Sequence, residues 1–466
     1  MKLIKFGGSS LKDANGFLKI ADIIKKEDEK IIVILSGVNG VTDTIQEYLK
    51  YKKYDEIAIQ KIIQQIKRLH NKIASKSISD IAVLKKVQFQ LNTKIEKLEK
   101  LLRGIYYIEE LTDKTKDLII SYGERLSVLI LAGVLIDQNL KAEALEADKI
   151  GIITNGNFGD AVVNPKEISK NLKKTIYPLI KQDIIPIITG FFGCDNNGYT
   201  TIFGRDGSDY SASIIANALD VDRVELWKNT DGFRSADPKK IKETNLIEKL
   251  SYSEAAELSY FGAKILHPRT VEPLKEKNIK LIIKNIKNPV GKGTEISNLY
   301  KMDKSKIKSL AYNNNIASLK IFGPGIGYKP GVLSEITRLL NTNKTNIKSV
   351  ITSQTCINIL LDKKDLITSK NLLEEKRIDT IEKIETKDDI ALIAVVGYNI
   401  AKKYGIAADI FKSISKKQIN IESISAGASN SAYYFIIKNI HLDIVLQTVH
   451  DDIFFETKTL KPELAI

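Results

Sequence analysis

"DIIPIITGFFGCDNNGYTTIFGRDGSDYSASIIANAL", Asp183–Leu219, holds a β-branched apolar run, a short hairpin about Asn-Asn-Gly and a small-residue helix, one after another. The same order stands earlier in "EKIIVILSGVNGVTD", Glu29–Asp43, a buried strand running into a Ser-Gly loop, and at the start of the chain, where "KFGGSS", Lys5–Ser10, follows an apolar strand. Short apolar strands followed by glycine-bearing loops and then helical periodicity recur through about residue 300. Continuous β-branched strands flanked by helices demand burial on both faces. The expected class is therefore α/β, a mostly parallel open sheet sandwiched by helices.

Composition bounds the rest. A chain of 466 residues with 43% hydrophobic content can bury large cores and is expected to form two to four domains. No apolar run reaches the roughly 18 residues that span a bilayer, and the chain opens on a strand and not on a charged, then apolar, leader. It reads as cytoplasmic, with no membrane partner. Cys194 and Cys356 lie far apart, and His70, His267, His441 and His450 show no ligand spacing, which argues against a disulfide framework, a structural zinc or any dedicated metal site. The net charge of +14 is spread among acids, as in "TKIEKLEKLLR", Thr93–Arg103, without interleaved aromatic residues. That is a solvated helix face and does not point to nucleic acid. Arginine is scarce beside lysine, so an arginine inside a glycine loop carries weight: its planar fork suits carboxylate and phosphate.

Residues of about 45 to 120, rich in Lys, Glu, Ile and Leu, read as a helical insertion edging the site, and "YKMDKSKIKS", Tyr300–Ser309, reads as a linker region. Beyond it, "IASLKIFGPGIGYKPGVLSEITRLLNTNKTNIKSV", Ile316–Val350, and "IALIAVVGYNIAKKYGIAADIFKSISKKQINIESI", Ile390–Ile424, each read as strand, glycine loop, helix, strand. Two small modules in tandem fit that spacing.

A lone Lys-Phe-Gly-Gly is more often a tight turn than a site. Its company changes the reading: "SGVNGVT" (Ser36–Thr42), "SYGERLS" (Ser121–Ser127), "GRDGSDYSA" (Gly204–Ala212) and "FGAKILHPRT" (Phe261–Thr270) all place glycine beside a charged or hydroxyl residue at the end of a strand or helix. Loops of this kind gather outside the carboxyl ends of the strands of an open sheet, and their backbone N–H groups attract anions.

In that order, and with "SYSEAAELSYFGAKILHPRT" (Ser251–Thr270) and the following "LIIKN" (Leu281–Asn285), these motifs make the chain resemble the aspartate kinases of the amino-acid kinase family over nearly its whole length, with the paired C-terminal modules resembling that family's ACT domains. The resemblance implies a catalytic domain over residues 1–300 and βαββαβ-type ACT modules over 312–385 and 386–466. It implies ATP-dependent phosphorylation of the side-chain carboxylate of L-aspartate, at the head of lysine, threonine and methionine synthesis. Lys5 and Asp209 would be the catalytic residues. Ser36, Thr42, Glu124, Arg205 and Ser208 would hold aspartate, Arg205 gripping the α-carboxylate while an acid such as Glu124 or Asp209 takes the α-ammonium. Lys5, Gly7, Gly8, Ser9, Lys228, Asn229, Asp231, Arg234, Lys239 and Lys264 would face the nucleotide, near Gly232, Asp237 and Pro238. In "WKNTDGFRSADPKK", Trp227–Lys240, Lys228 and Asn229 stand where the family usually has a hydroxyl and an acid, and Asp206 stands where glycine or asparagine is common. Mg²⁺ is expected as the ATP complex. Gly331, Val332, Ser353 and Gln354 would hold an amino-acid effector, threonine favoured over lysine because Ser353 and Gln354 suit a short polar side chain. A homodimer or homotetramer through the ACT domains is expected, and no homoserine dehydrogenase portion. Taken singly, Glu124 and Asp209 could instead serve as acids at helix starts.

Overall fold

A computed structural model describes residues 1–50, 55–263, 265–298, 307–376 and 378–455. Two compact units emerge. The first comprises Met1–Phe233, Leu246–Ala256 and Lys264–Lys301, and the second Arg234–Asn245, Glu257–Ala263 and Met302–Ile466.

The first unit is built on an eight-stranded sheet with strand order Ala142–Leu145, Ile185–Thr189, Ile31–Leu35, Lys2–Phe6, Arg223–Lys228, Lys280–Asn285, Thr294–Ile296 and Lys249–Leu250. The first six run parallel, and Thr294–Ile296 turns antiparallel against Lys280–Asn285. Every residue of Lys2–Phe6 and of Ile31–Leu35 is buried, which is why Ile31–Leu35 reads as an unbroken apolar run and not as an alternating one. Lys2 and Lys5 are the exceptions in kind: Lys2 is neutralised by Glu225 at 2.9 Å and by Glu27, and Lys5 by Asp209. From Lys2–Phe6 the chain continues on one side to Ile31–Leu35, whereas Arg223–Lys228 fills the other side much later. The carboxyl end of Lys2–Phe6 is therefore the sheet's topological switch point, where an open α/β sheet leaves a crevice.

The insertion forms four helices, Val41–Lys50, Glu56–Ser77, Ile81–Ile108 and Asp113–Ile120. Asp55 and Asp80 cap the two long ones by accepting the Ala58 N–H (2.9 Å) and the Ala82 and Val83 N–H groups (2.7 and 2.9 Å). One expectation needs correcting. The run Asp113–Asp137 is long and apolar enough to cross a membrane by composition, but 89% of its most apolar window is buried inside the protein, and it includes Glu124 and Arg125. The interior of the domain imposes the same apolarity as a bilayer.

The second unit holds two four-stranded antiparallel sheets. One has the order Ile347–Thr352, Cys356–Asp362, Ile316–Phe322, Lys383–Lys387, and shares a core with the helices Val332–Thr342 and Leu366–Glu375 through Leu319, Ile336, Leu340 and Leu373. The other has the order Ser309–Asn313, Ile390–Val396, Ala432–Lys438, Ser423–Ser425 and is covered by Ile406–Ser415 and Leu442–Phe454 through Ile393, Ile410, Phe435 and Val445. The modules are nested where the sequence suggested a tandem pair. Ser309–Asn313, which straddles the end of the expected linker and the start of the expected first module, pairs with Ile390–Val396 along its whole length, so the first module is spliced between two strands of the second. Two segments from within the first 300 residues also join this unit: Leu310 N–H donates to the Ser235 carbonyl (2.8 Å), the Ser309 hydroxyl to the Arg234 carbonyl (2.7 Å), and Ala236 and Ile241 enter the second module's core.

Candidate active site

Three glycine loops meet at the switch point at backbone distance. Beyond Phe6 the chain stays extended at Gly7 and tightens into the short turn Gly8–Ser10. A Cβ on Gly8 would lie 3.0 Å from the Gly37 carbonyl oxygen, and one on Gly123 would lie 2.5 Å from the Thr42 hydroxyl oxygen. The glycines of "KFGGSS", "SGVNGVT" and "SYGERLS" are thus required by close approach, and they draw Thr42 and the start of the helix Tyr122–Asp137 to the end of the first strand. The Ser36 carbonyl accepts the Ser127 hydroxyl at 2.7 Å and fixes the second loop to that helix.

Charge is concentrated on Asp209, in the first turn of the helix Gly207–Leu219 and 2% exposed. Lys5, itself 6% exposed, forms an ion pair with one carboxylate oxygen, and Lys228 Nζ lies 2.6 Å from the other. Burial by itself would raise the Asp209 pKa; the ammonium groups of Lys228 and Lys5 outweigh it and hold the carboxyl well below the usual carboxylate range. Each oxygen of Asp209 already faces one cation. Glu124 differs. It is buried, one oxygen accepts the Gly37 N–H at 3.0 Å, and the other has no hydrogen-bond partner among the described residues. Burial pushes its pKa up to about 7 against the opposing pull of the Gly37 N–H, Lys5 and Arg125. Arg125 is bound behind it to Glu146 (2.6 Å) and Asp148 (2.7 Å).

Ser208 is buried with its Cβ packed on Gly190. Arg205, two residues before the helix, is the outlier: its side chain is 79% exposed, and the nearest acid is Asp206 at 3.9 Å. The structure brings Lys5, Asp209 and Lys228 together and sets Glu124 beside Gly37, but it gives Arg205 no contact with them.

On the side assigned to nucleotide, Gly7, Gly8 and Ser9 flank Asn229, whose Nδ2 reaches the Ser9 carbonyl at 3.5 Å, and Asp231 accepts from Asn285 at 2.8 Å. Asn285, the last residue of "LIIKN", belongs with these residues and was not singled out; the length of the strand Lys280–Asn285, which ends level with Lys228, is the signal that could have found it. Lys228, expected to face the nucleotide, ion-pairs with Asp209, because it ends the strand next to that of Lys5. Arg234 and Lys239 fall in the second unit. There the Arg234 fork is spent on the Thr244 hydroxyl (2.6 Å) and carbonyl, and Lys239 is exposed on a turn capped by Asp237. Lys264 lies outside the described residues. The effector candidates share one module: Gly331, in the left-handed region (φ 91°), opens the helix that begins with Val332, and the Gly327 N–H donates to the Gln354 carbonyl (3.3 Å), against the turn that holds Ser353.

A sequence model of the amino acid kinase family matches residues 1–285, and one of the ACT domain matches residues 393–453. Over 477 residues the chain is 30% identical to a bifunctional aspartokinase/homoserine dehydrogenase of Buchnera aphidicola, covering 99% of this chain but 57% of that protein. It is also 30% identical to the chloroplastic aspartokinase 1 of Arabidopsis thaliana, covering 98% of this chain and 81% of that one. Its fold matches E. coli aspartokinase III, solved with aspartate and ADP (R-state), at a TM-score of 0.84 and 24% identity over 97% of this chain and 100% of that chain; the same enzyme with lysine and aspartate (T-state) gives 0.82, also at 24% identity, over 97% and 99%. With the amino acid kinase model matching more than half of its length and a 30% identical aspartokinase covered over 81% of its own, the chain belongs to the amino acid kinase family, among the aspartokinases.

Proposed function

We propose that this chain transfers the γ-phosphoryl of ATP to the side-chain carboxylate of L-aspartate. The observation that carries the reading is Asp209, buried between Lys5 and Lys228 at the switch point. The nucleophile in such a reaction is already an anion, so no general base is needed; the barrier lies in bringing a carboxylate onto a phosphoryl group. Two ammonium groups fixed by one carboxylate supply positive charge that is aligned before substrate arrives and need not reorganise as charge develops. Lys5 neutralises the transferring phosphoryl, with Gly7, Gly8 and Ser9 along the phosphates. The oxygen of Glu124 that is unpartnered among the described residues takes the α-ammonium of aspartate, and Arg205, whose one ion pair among those residues is the 3.9 Å contact with Asp206, folds onto the α-carboxylate. Arrival of the ammonium draws the Glu124 pKa down and makes it the carboxylate it must be.

Among the described residues no group of three His, Cys, Asp or Glu side chains is placed to hold a metal ion, so no step is assigned to a protein-held metal. Mg²⁺ belongs to the MgATP substrate. The aspartate and ADP in the E. coli structure support the substrate pair. Feedback control through Gly331, Val332, Ser353 and Gln354 belongs to the same reading, with threonine suited to the uncharged pair Ser353 and Gln354 and lysine suggested by the E. coli lysine complex. So do a place at the head of lysine, threonine and methionine synthesis, a cytoplasmic location, a catalytic domain followed by two regulatory ACT modules, and a homodimer or homotetramer through those modules.

ADP release measured with aspartate, glutamate and acetylglutamate side by side tests the proposal. Turnover confined to aspartate supports it; turnover with either of the others and not with aspartate overturns it.

A further inference from the structure

Two charged side chains outside the site grip the same stretch of backbone. Asp117, on the helix Asp113–Ile120, is 1% exposed, and one of its oxygens accepts both the Gly159 N–H (2.8 Å) and the Ile202 N–H (3.0 Å). Arg269, in the first turn of the helix Pro268–Glu276, donates from Nη1 to the Asp160 carboxylate and to the Phe203 carbonyl (3.1 Å), and from Nη2 to the Ala161 carbonyl (2.8 Å). Each side chain therefore holds the strap Gly159–Ala161 and the strand end Ile202–Phe203 at once. A backbone bond from Ala161 N–H to the Ile202 carbonyl (2.9 Å) lies between the two grips.

What the clasp encloses is Gly204. Its φ is +73°, and a Cβ there would meet the Gly159 carbonyl oxygen at 3.1 Å and Asp160 at 3.5 Å. The residues that follow are Arg205, Asp206 and then the helix that carries Ser208 and Asp209. Asp209 is fixed by its two lysines. Arg205 has only Asp206, at 3.9 Å, to fix its head group, so the backbone on its N-terminal side does the placing. A buried carboxylate that accepts two backbone N–H groups and forms no ion pair is costly to keep unless the backbone it holds must be held.

We infer that Asp117 and Arg269 are positioning residues for the loop Gly204–Ser208, setting where the Arg205 guanidinium meets the substrate's α-carboxylate. The inference rests on the proposed function, in which Arg205 grips that group; neither Asp117 nor Arg269 touches substrate. Displacement of a bidentate donor by about 1 Å is enough to lose most of its grip.

The test is steady-state kinetics of Arg269→Lys, Asp117→Ala and Asp117→Asn in the full chain, together with amide exchange at Gly159 and Ile202 in the absence of substrates. Lysine can keep the Asp160 pair but cannot span both carbonyls, so Arg269→Lys is expected to raise the aspartate KM by about tenfold, with the ATP KM and kcat changed by less than about twofold. Asp117→Ala should act in the same direction, and Asp117→Asn, which keeps an oxygen for both N–H groups, should restore the wild-type KM. The Arg269→Lys/Asp117→Ala double variant should fall short of the product of the single effects, because both act on one strap. Amide exchange at Gly159 and Ile202 should rise wherever the aspartate KM rises. Equal rises in both KM values, a fall in kcat alone, or faster exchange with unchanged kinetics overturns the inference, and where Asp117→Ala fails to fold, Arg269→Lys decides. A wild-type chain that protects these amides yet does not turn over aspartate overturns the proposed function, and the role assigned to the clasp falls with it.

Discussion

Glu124→Gln should stabilise the substrate-free protein while removing its affinity for aspartate. In the folded chain burial lifts the Glu124 pKa from 4.5 to about 7. A folded pKa above the unfolded one means that the native state binds the extra proton, so stability is unaffected below pH 4.5 and declines as pH rises from there to about 7. The shift corresponds to about 3 kcal/mol, reached in full above pH 7. Glutamine keeps an oxygen for the Gly37 N–H and carries no charge to desolvate. Urea unfolding can be followed through Trp227, the single, buried tryptophan of the first unit. Wild type and variant should coincide at pH 4.5, and the variant should be more stable by about 2 to 3 kcal/mol at pH 8. The same variant should raise the aspartate KM by at least about tenfold, and in the wild type that KM should fall as pH rises through 7 and Glu124 ionises. Parallel pH–stability curves for the two proteins would refute the reasoning, because they would mean that Glu124 is ionised at no cost where it stands.

Lys5→Met keeps the stem and removes the charge, and should lower kcat by about a hundredfold or more, equivalent to about 3 kcal/mol of transition-state stabilisation, with the fold intact by circular dichroism; near-normal hydroxamate formation would count against the assignment. Lys228→Met leaves Asp209 one cation instead of two and should lower kcat by about tenfold, a smaller loss than at Lys5; an effect confined to the ATP KM would return Lys228 to the nucleotide side. Arg205→Lys preserves charge but not the fork, and a rise of about tenfold in the aspartate KM with little change for ATP is expected; the reverse pattern would move Arg205 to the nucleotide. Threonine and lysine titrated separately against activity decide the effector: inhibition by lysine alone rejects threonine, and inhibition by neither leaves the nested modules a structural role.

The open parallel sheet was legible because its strands are buried on both faces and so read as unbroken apolar runs: Ile31–Leu35 could be nothing else. Lys5, Glu124 and Asp209 stood out as charged residues in glycine loops. What local pattern could not supply was pairing across long separations. Nothing in "SLAYN" says that its partner lies beyond an intervening module, so Ser309–Asn313 read as the linker's end and the first module's start, and the nested modules as tandem. Nor does the sequence say that Lys228 ends the strand beside Lys5, which is what turns an apparent departure into the second cation on Asp209. Arg234 is the converse case: a fork in a glycine-bearing loop is bound to the Thr244 hydroxyl and carbonyl, partners whose position only the turn determines. Asp117 carries no motif at all. Its significance comes from two backbone N–H groups, Gly159 and Ile202, far along the chain.

The central claim, a carboxylate nucleophile meeting a phosphoryl group beside the Lys5–Asp209–Lys228 cluster, is tested most directly by oxygen transfer. Aspartate labelled with ¹⁸O in its side-chain carboxylate is turned over with MgATP, the acyl phosphate is cleaved with hydroxylamine, and the released phosphate is weighed by mass spectrometry. Attack by the carboxylate predicts one labelled oxygen in each phosphate formed in step with ADP, and labelled phosphate formed about a hundredfold more slowly by the Lys5→Met chain. Phosphate released without label would show that water, not aspartate, takes the phosphoryl group, and would contradict the account.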